Sequence, residues 1–103
     1  MGSTDLSWKG ETSRKDEEIY NRDIEWLKSA DIVIAEVTNP SLGVGYELAI
    51  AEKLQIPTLC LYRTENGKSL SAMIQGNKTF TCKNYKTILN VQQSIDDFIQ
   101  EVI

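Results

Sequence analysis

Residues 31–54, DIVIAEVTNPSLGVGYELAIAEKL, constrain this chain more than any other segment. The run Asp31-Ile-Val-Ile-Ala is β-branched and almost continuously apolar, the pattern of a parallel strand covered on both faces. Asn39-Pro40 ends it, because proline has no amide proton and restricts the residue before it. A loop with Ser41, Gly43 and Gly45 follows, and then a helix whose first turn carries Glu47. Such a strand–loop–helix unit points unpaired backbone N–H groups into the crevice at the carboxyl end of a sheet. That place suits an anion, usually a phosphate. A carboxylate there needs a reason.

With 103 residues the chain makes one domain with a modest core. Its net charge of −4 makes it a poor binder of polyanions. Nucleic-acid polymers and anionic membranes are therefore set aside, while a single nucleotide in a local pocket is not. No apolar run approaches a membrane span. Met1-Gly2-Ser3-Thr4-Asp5 is polar and is no signal peptide, so the cytoplasm or the nucleus is the expected location. The sequence has two cysteines, Cys60 and Cys82, and no histidine. Two cysteines make neither a zinc site nor a disulfide framework, and no cofactor or metal is expected. Cys60, inside an apolar run, reads as a small core residue. Without histidine, acid–base or nucleophilic work falls to carboxylates, Tyr, Lys, Ser or Cys.

The hydropathy pattern divides the chain simply. Residues 1–14 read as a polar, flexible lead-in, and residues 15–103 as a single α/β domain. A helix is expected over 15–30, with Ile19, Tyr20, Ile24, Trp26, Leu27 and Ala30 on its apolar face. A strand over 31–37, a helix over 45–54 and a strand over 58–63 follow. Glu65-Asn66-Gly67-Lys68 is a turn sequence. A short helix or turn over 70–75, a strand over 78–83 and an amphipathic helix over 91–102 complete the pass. This order predicts a three-layer parallel sheet of flavodoxin or Rossmann type, cut to about three strands. So few strands leave unpaired edges, which points to a dimer or to a fold missing a piece.

Asp23 falls inside the apolar arc of the first helix, where a carboxylate is costly unless it is paired or used. The bland alternative places it at the end of the arc, in reach of water or an amide. Glu36 can face the crevice, but a structural or edge role fits it better. Glu47 also has a bland reading, since glutamate in a first helical turn complements the macrodipole.

Four blocks carry a resemblance that the pattern does not. They are IYNRDIEWL from Ile19, ADIVIAEVTNPSLGVGYEL from Ala30, LCLYR from Leu59 and LSAMIQG from Leu70. Together they resemble the 2′-deoxynucleoside 5′-phosphate N-hydrolases of the nucleoside 2-deoxyribosyltransferase superfamily, over residues 19–76. The resemblance implies Glu47 as the catalytic glutamate and Asp23 as its acidic companion. It implies that Ser41 and, from a neighbouring subunit, Ser71 bind the 5′-phosphate, with Met73 in the same donated segment. It implies a homodimer with the site near the subunit interface.

Cleavage of an N-glycosidic bond passes through an oxocarbenium-like state, so a carboxylate near the anomeric carbon suits the reaction. On this reading Glu47 attacks and forms a glycosyl ester that water hydrolyses. The helix N-terminus keeps Glu47 ionised. Ser41, Ser71 and the amides of Gly43 and Gly45 hold the phosphate. Family members begin with a strand and a glycine-rich loop that nothing here matches, so the chain resembles the carboxyl-terminal part of such an enzyme. A deoxyribosyltransferase and a non-catalytic nucleotide-binding or dimerising module are the alternatives. Ser41 favours the hydrolase, because the transferases tend to carry an acidic residue there.

Overall fold

A computed structural model describes residues 4–63 and 70–103, with side chains from residue 15 onward within those ranges. The expected turn at Glu65–Lys68 lies outside the described residues.

The chain runs α1 (Thr4–Ser29), β1 (Val33–Glu36), α2 (Leu42–Lys53), β2 (Thr58–Tyr62), α3 (Ala72–Gln75), β3 (Phe80–Asn84) and α4 (Ile88–Val102). The strands form one parallel sheet in the order β1-β2-β3, in an α/β fold. Every expected strand is present, with ends moved by a few residues. Three helices begin earlier than the hydropathy pattern suggests, α4 among them, at Ile88 rather than residue 91. α1 starts at Thr4 rather than near residue 15, because its first turns are polar and show no apolar periodicity. α2 starts at Leu42 rather than at residue 45, so Gly43 and Gly45 lie in the helix and not in the loop before it. Glycine costs about 1 kcal/mol relative to alanine inside a helix, and for that reason reads as loop in a sequence.

β2 is central and forms the core. Leu59 and Cys60 are completely buried, Leu61 nearly so, and Thr58 satisfies its buried hydroxyl by donating to the Ile56 carbonyl at 2.9 Å. Side chains alternate across a strand. Leu59 and Leu61 therefore share one face, where Phe98 of α4 packs with Ile32, Tyr85, Val91 and Ile95. α2 contributes the buried Leu48 and Ala51 and contacts both β2 and α1. α4 is held at its start by a reciprocal cap, in which Thr87 and Asn90 each accept from the other's backbone region.

α2 ends in a tight reversal. Ile56 N–H donates to the Ala51 carbonyl and Gln55 N–H to the Glu52 carbonyl, both at 3.0 Å. This is a Schellman arrangement, and its left-handed position is filled by Gln55 at φ 61°. The reversal sets the start of β2, which in turn places the carboxyl ends of all three strands on one side.

The apolar arc expected for α1 is only partly buried. Leu27 and Ile24 are half-buried, whereas Trp26 is 62% exposed and stacks beneath the Arg22 guanidinium at 4.8 Å. Ile34 on the outer strand β1 is also exposed, and burial alternates along that strand, which corrects the expectation that it is covered on both faces.

Candidate active site

Ser41 caps α2. Its Oγ accepts the Val44 N–H at 3.2 Å, and its carbonyl accepts the Gly45 N–H at 3.0 Å. A capping hydroxyl that accepts in this way keeps its own proton free to donate outward. The Gly45 amide is consumed by the helix, which corrects the expectation that it faces a ligand. Gly43, second in the helix, is among the amides with no partner one turn back. A Cβ at Gly45 meets nothing within 4 Å, and one at Gly43 meets only Ser41 Oγ at 3.9 Å. The space beside both glycines is therefore open.

Ser41 and Gly45 line a cavity of about 770 Å³ between the β1–α2 loop, α2 and α3. Ser71 and Met73 line the same cavity from its other side. Ser71 repeats the device seen at Ser41, capping α3 by accepting the Met73 N–H at 3.2 Å. Met73 is 82% exposed. Four of the residues expected to bind ligand thus come together within one chain.

The two carboxylates lie elsewhere. Glu47 stands in the second turn of α2, not the first, and lines a smaller cavity of about 260 Å³ with Leu27 and the β1 residues. Its distance from the helix start removes the macrodipole explanation, whose effect fades after one turn. Asp23 of α1 lies close enough to Glu47 for its charge to act on it. Partial burial, then the charge of Asp23, then the bond between the two push the Glu47 carboxyl up from its ordinary value. The helix N-terminus therefore does not set the Glu47 carboxyl as expected; burial and Asp23 do, and both raise it. Desolvation and a like charge oppose ionisation here. Arg22 Nε lies 3.4 Å from Asp23 Oδ1 and offsets part of that charge. Beside this pair, the Tyr20 and Tyr46 hydroxyls meet at 3.4 Å across the α1–α2 contact.

The family model for nucleoside 2-deoxyribosyltransferase matches residues 3–93. This chain belongs to that family. The match extends beyond residues 19–76 at both ends. Among curated relatives, a 5-hydroxymethyl-dUMP N-hydrolase of Esox lucius is 43% identical over 98% of this chain and 70% of its own length. One of Danio rerio is 43% identical over 95% of this chain and 64% of its own length. One of Mus musculus is 56% identical over 74% of this chain and 44% of its own length. The chain therefore spans between 44% and 70% of these relatives. Their names describe N-hydrolysis of a deoxynucleoside monophosphate.

Burial disfavours the thiolate at both cysteines. Burial pushes the Cys60 thiol up to about 12, with Cys82 opposite it on β3 adding to the effect, so the nucleophilic thiolate does not form. No cluster of three or more potential metal ligands occurs among the described residues. Sequence reasoning overlooked Thr38 and Tyr85, which bind Glu36 at the carboxyl edge of the sheet. No local signal reveals Tyr85, which is 49 residues from its partner.

Proposed function

We propose that this chain carries the reaction centre of a 2′-deoxynucleoside 5′-monophosphate N-hydrolase. The carrying observation is the Asp23–Glu47 pair, two carboxylates from separate helices brought together beside β1. Names of the relatives favour a 5-hydroxymethyluracil base.

Ionised Glu47 attacks the anomeric carbon as the bond from that carbon to the base nitrogen breaks. The base leaves with the bonding electrons and takes a proton from solvent, which is returned when water later gives up a proton on adding to the ester. Water then adds to the glutamyl ester, releasing 2-deoxyribose 5-phosphate and restoring Glu47. Asp23 acts on Glu47 directly: its charge raises the energy of the resting carboxylate, and that penalty is relieved when Glu47 becomes a neutral ester. The Ser41 hydroxyl, its lone pair engaged by Val44 N–H, donates to the phosphate.

Ser71 and Met73, like Ser41, line a different cavity from Glu47 in the same chain, and Val44 and Leu48 of α2 border both. A homodimer, in which a second copy brings the Ser71 and Met73 segment toward the Glu47 crevice, reconciles that separation with the family resemblance.

The test is hydrolysis of 5-hydroxymethyl-dUMP by the chain and by Glu47→Gln, with both products quantified. The variant keeps the shape of the side chain and should lose on the order of 10³-fold or more in turnover while staying folded. Undiminished turnover would remove Glu47 from the role.

A further inference from the structure

The carboxyl ends of the three strands are tied together by one side chain. Glu36, the last residue of β1, accepts the Thr38 N–H on Oε1 at 3.0 Å. Its Oε2 accepts two hydroxyls, Thr38 Oγ1 at 2.5 Å and Tyr85 Oη at 2.6 Å. Thr38 Oγ1 in turn accepts the Arg63 N–H just beyond β2, at 2.9 Å. Tyr85 follows β3, and its own N–H donates to the Tyr62 carbonyl at 2.9 Å. β1 and β3 are not neighbours, so strands alone leave about 10 Å between them. The Tyr85 side chain bridges that gap across the end of β2.

The carboxylate is well matched to this duty. Partial burial opposes its charge, but the bonds from Thr38 and Tyr85 and the charge of Arg63 hold it below the usual glutamate range. Hydrogen bonds to an ionised acceptor are short and roughly twice as strong as neutral ones. Only Asn39 and Pro40 separate the tied Thr38 from Ser41, and proline has one soft backbone dihedral fewer. Thr38 and Ser41 line the same cavity.

We propose that Glu36, with Thr38 and Tyr85, is a positioning latch that fixes the β1–α2 loop so that the Ser41 hydroxyl meets the substrate phosphate. Glu36 also borders the smaller cavity that Glu47 lines, and its positioning role is exerted through Thr38. The inference rests on the hydrolase reading, because it assigns a phosphate to Ser41. It adds a set of residues that controls recognition of the phosphate and leaves the bond-breaking step alone.

The experiment compares Tyr85→Phe, Thr38→Val and Thr38→Ser with the unaltered chain. Steady-state kinetics are measured on 5-hydroxymethyl-dUMP and on the matching nucleoside. Tyr85→Phe and Thr38→Val should raise KM for the nucleotide about fivefold to tenfold, a loss of about one hydrogen bond's worth of ordering. Their kcat should stay within about twofold, and the nucleoside parameters should not change. Thr38→Ser keeps the hydroxyl and should restore the nucleotide KM. Amide hydrogen exchange at Arg63 and at position 38 should quicken in Thr38→Val, and at Thr38 in Tyr85→Phe. A role limited to stability would move nucleotide and nucleoside together, or lower kcat for both, and would overturn the proposal. Failure of Thr38→Ser to rescue would overturn it as well. An unaltered chain that turns over nucleotide and nucleoside alike refutes the phosphate reading of Ser41 before any variant is compared, and the latch proposal falls with it. Preference for the nucleotide with unmoved KM in both variants refutes the latch alone.

Discussion

Replacement of Ser41 separates its two duties, and their sizes follow from its geometry. As the cap of α2 it accepts one backbone N–H at 3.2 Å. Loss of such a cap costs about 1 kcal/mol, and glycine restores all but a few tenths of it. In a domain of this size about 1 kcal/mol lowers Tm by roughly 4–8 °C. As a phosphate donor, Ser41 supplies a hydrogen bond to a charged acceptor, worth about 1.5–3 kcal/mol. Because Ser41 is exposed, the low end applies, which is about tenfold in affinity. Ser41→Ala should therefore lower both Tm and nucleotide affinity, whereas Ser41→Gly should lower affinity alone. Ser41→Asp is the decisive change. Aspartate caps as well as serine and suits the positive end of the helix, so Tm should hold or rise. Its charge opposes a phosphate by about 1–4 kcal/mol at contact distance, depending on local dielectric. Nucleotide binding should collapse while binding of the nucleoside persists. Calorimetric titration with 5-hydroxymethyl-dUMP and its nucleoside, beside thermal unfolding, reads both quantities. Equal loss of nucleotide and nucleoside affinity in Ser41→Ala and Ser41→Gly would show that Ser41 only starts the helix.

Asp23→Asn removes the like charge that helps to raise the Glu47 carboxyl. Ionised Glu47 should then persist to lower pH, so the acid limb of kcat/KM should shift toward acid, and an unmoved limb would uncouple the pair. The same shift predicts a stability effect. A carboxyl raised on folding binds its proton more tightly in the native state, so stability is gained as pH falls through the folded value and is lost above it. Glu47→Gln should therefore raise Tm near pH 7, measurably by thermal scanning. Gln55→Gly relieves a left-handed residue in the reversal after α2. It should stabilise the chain by roughly 0.5–1 kcal/mol, read from denaturant midpoints, and a loss would mean the side chain makes a compensating contact.

The sequence by itself determined the strand set, the layered α/β class and the family. Burial on both faces leaves its mark as the apolar run at 58–62, β-branched residues mark the half-covered outer strand at 31–37, and the family blocks are read residue by residue. It also placed Asp23 as a carboxylate in unfavourable company, because a charge on an apolar arc is visible in the pattern, while Glu47 was singled out by the family blocks. It misplaced the start of α2, since glycine carries a loop signal even where the Ser41 cap and a continuing helix override it. It misjudged Trp26, because periodicity says which face is apolar but not whether anything covers it. Only the tertiary structure decided how the candidate residues divide between two cavities. Glu47 and Ser41 are six positions apart on one helix, and a helical turn sends side chains around the axis to different neighbours. Only the tertiary structure joined Glu36 to Tyr85, since a bond between residues 49 apart exists only once parallel strands have aligned their ends. Local pattern fixes what each segment is; the packing of the segments fixes which chemistry faces which.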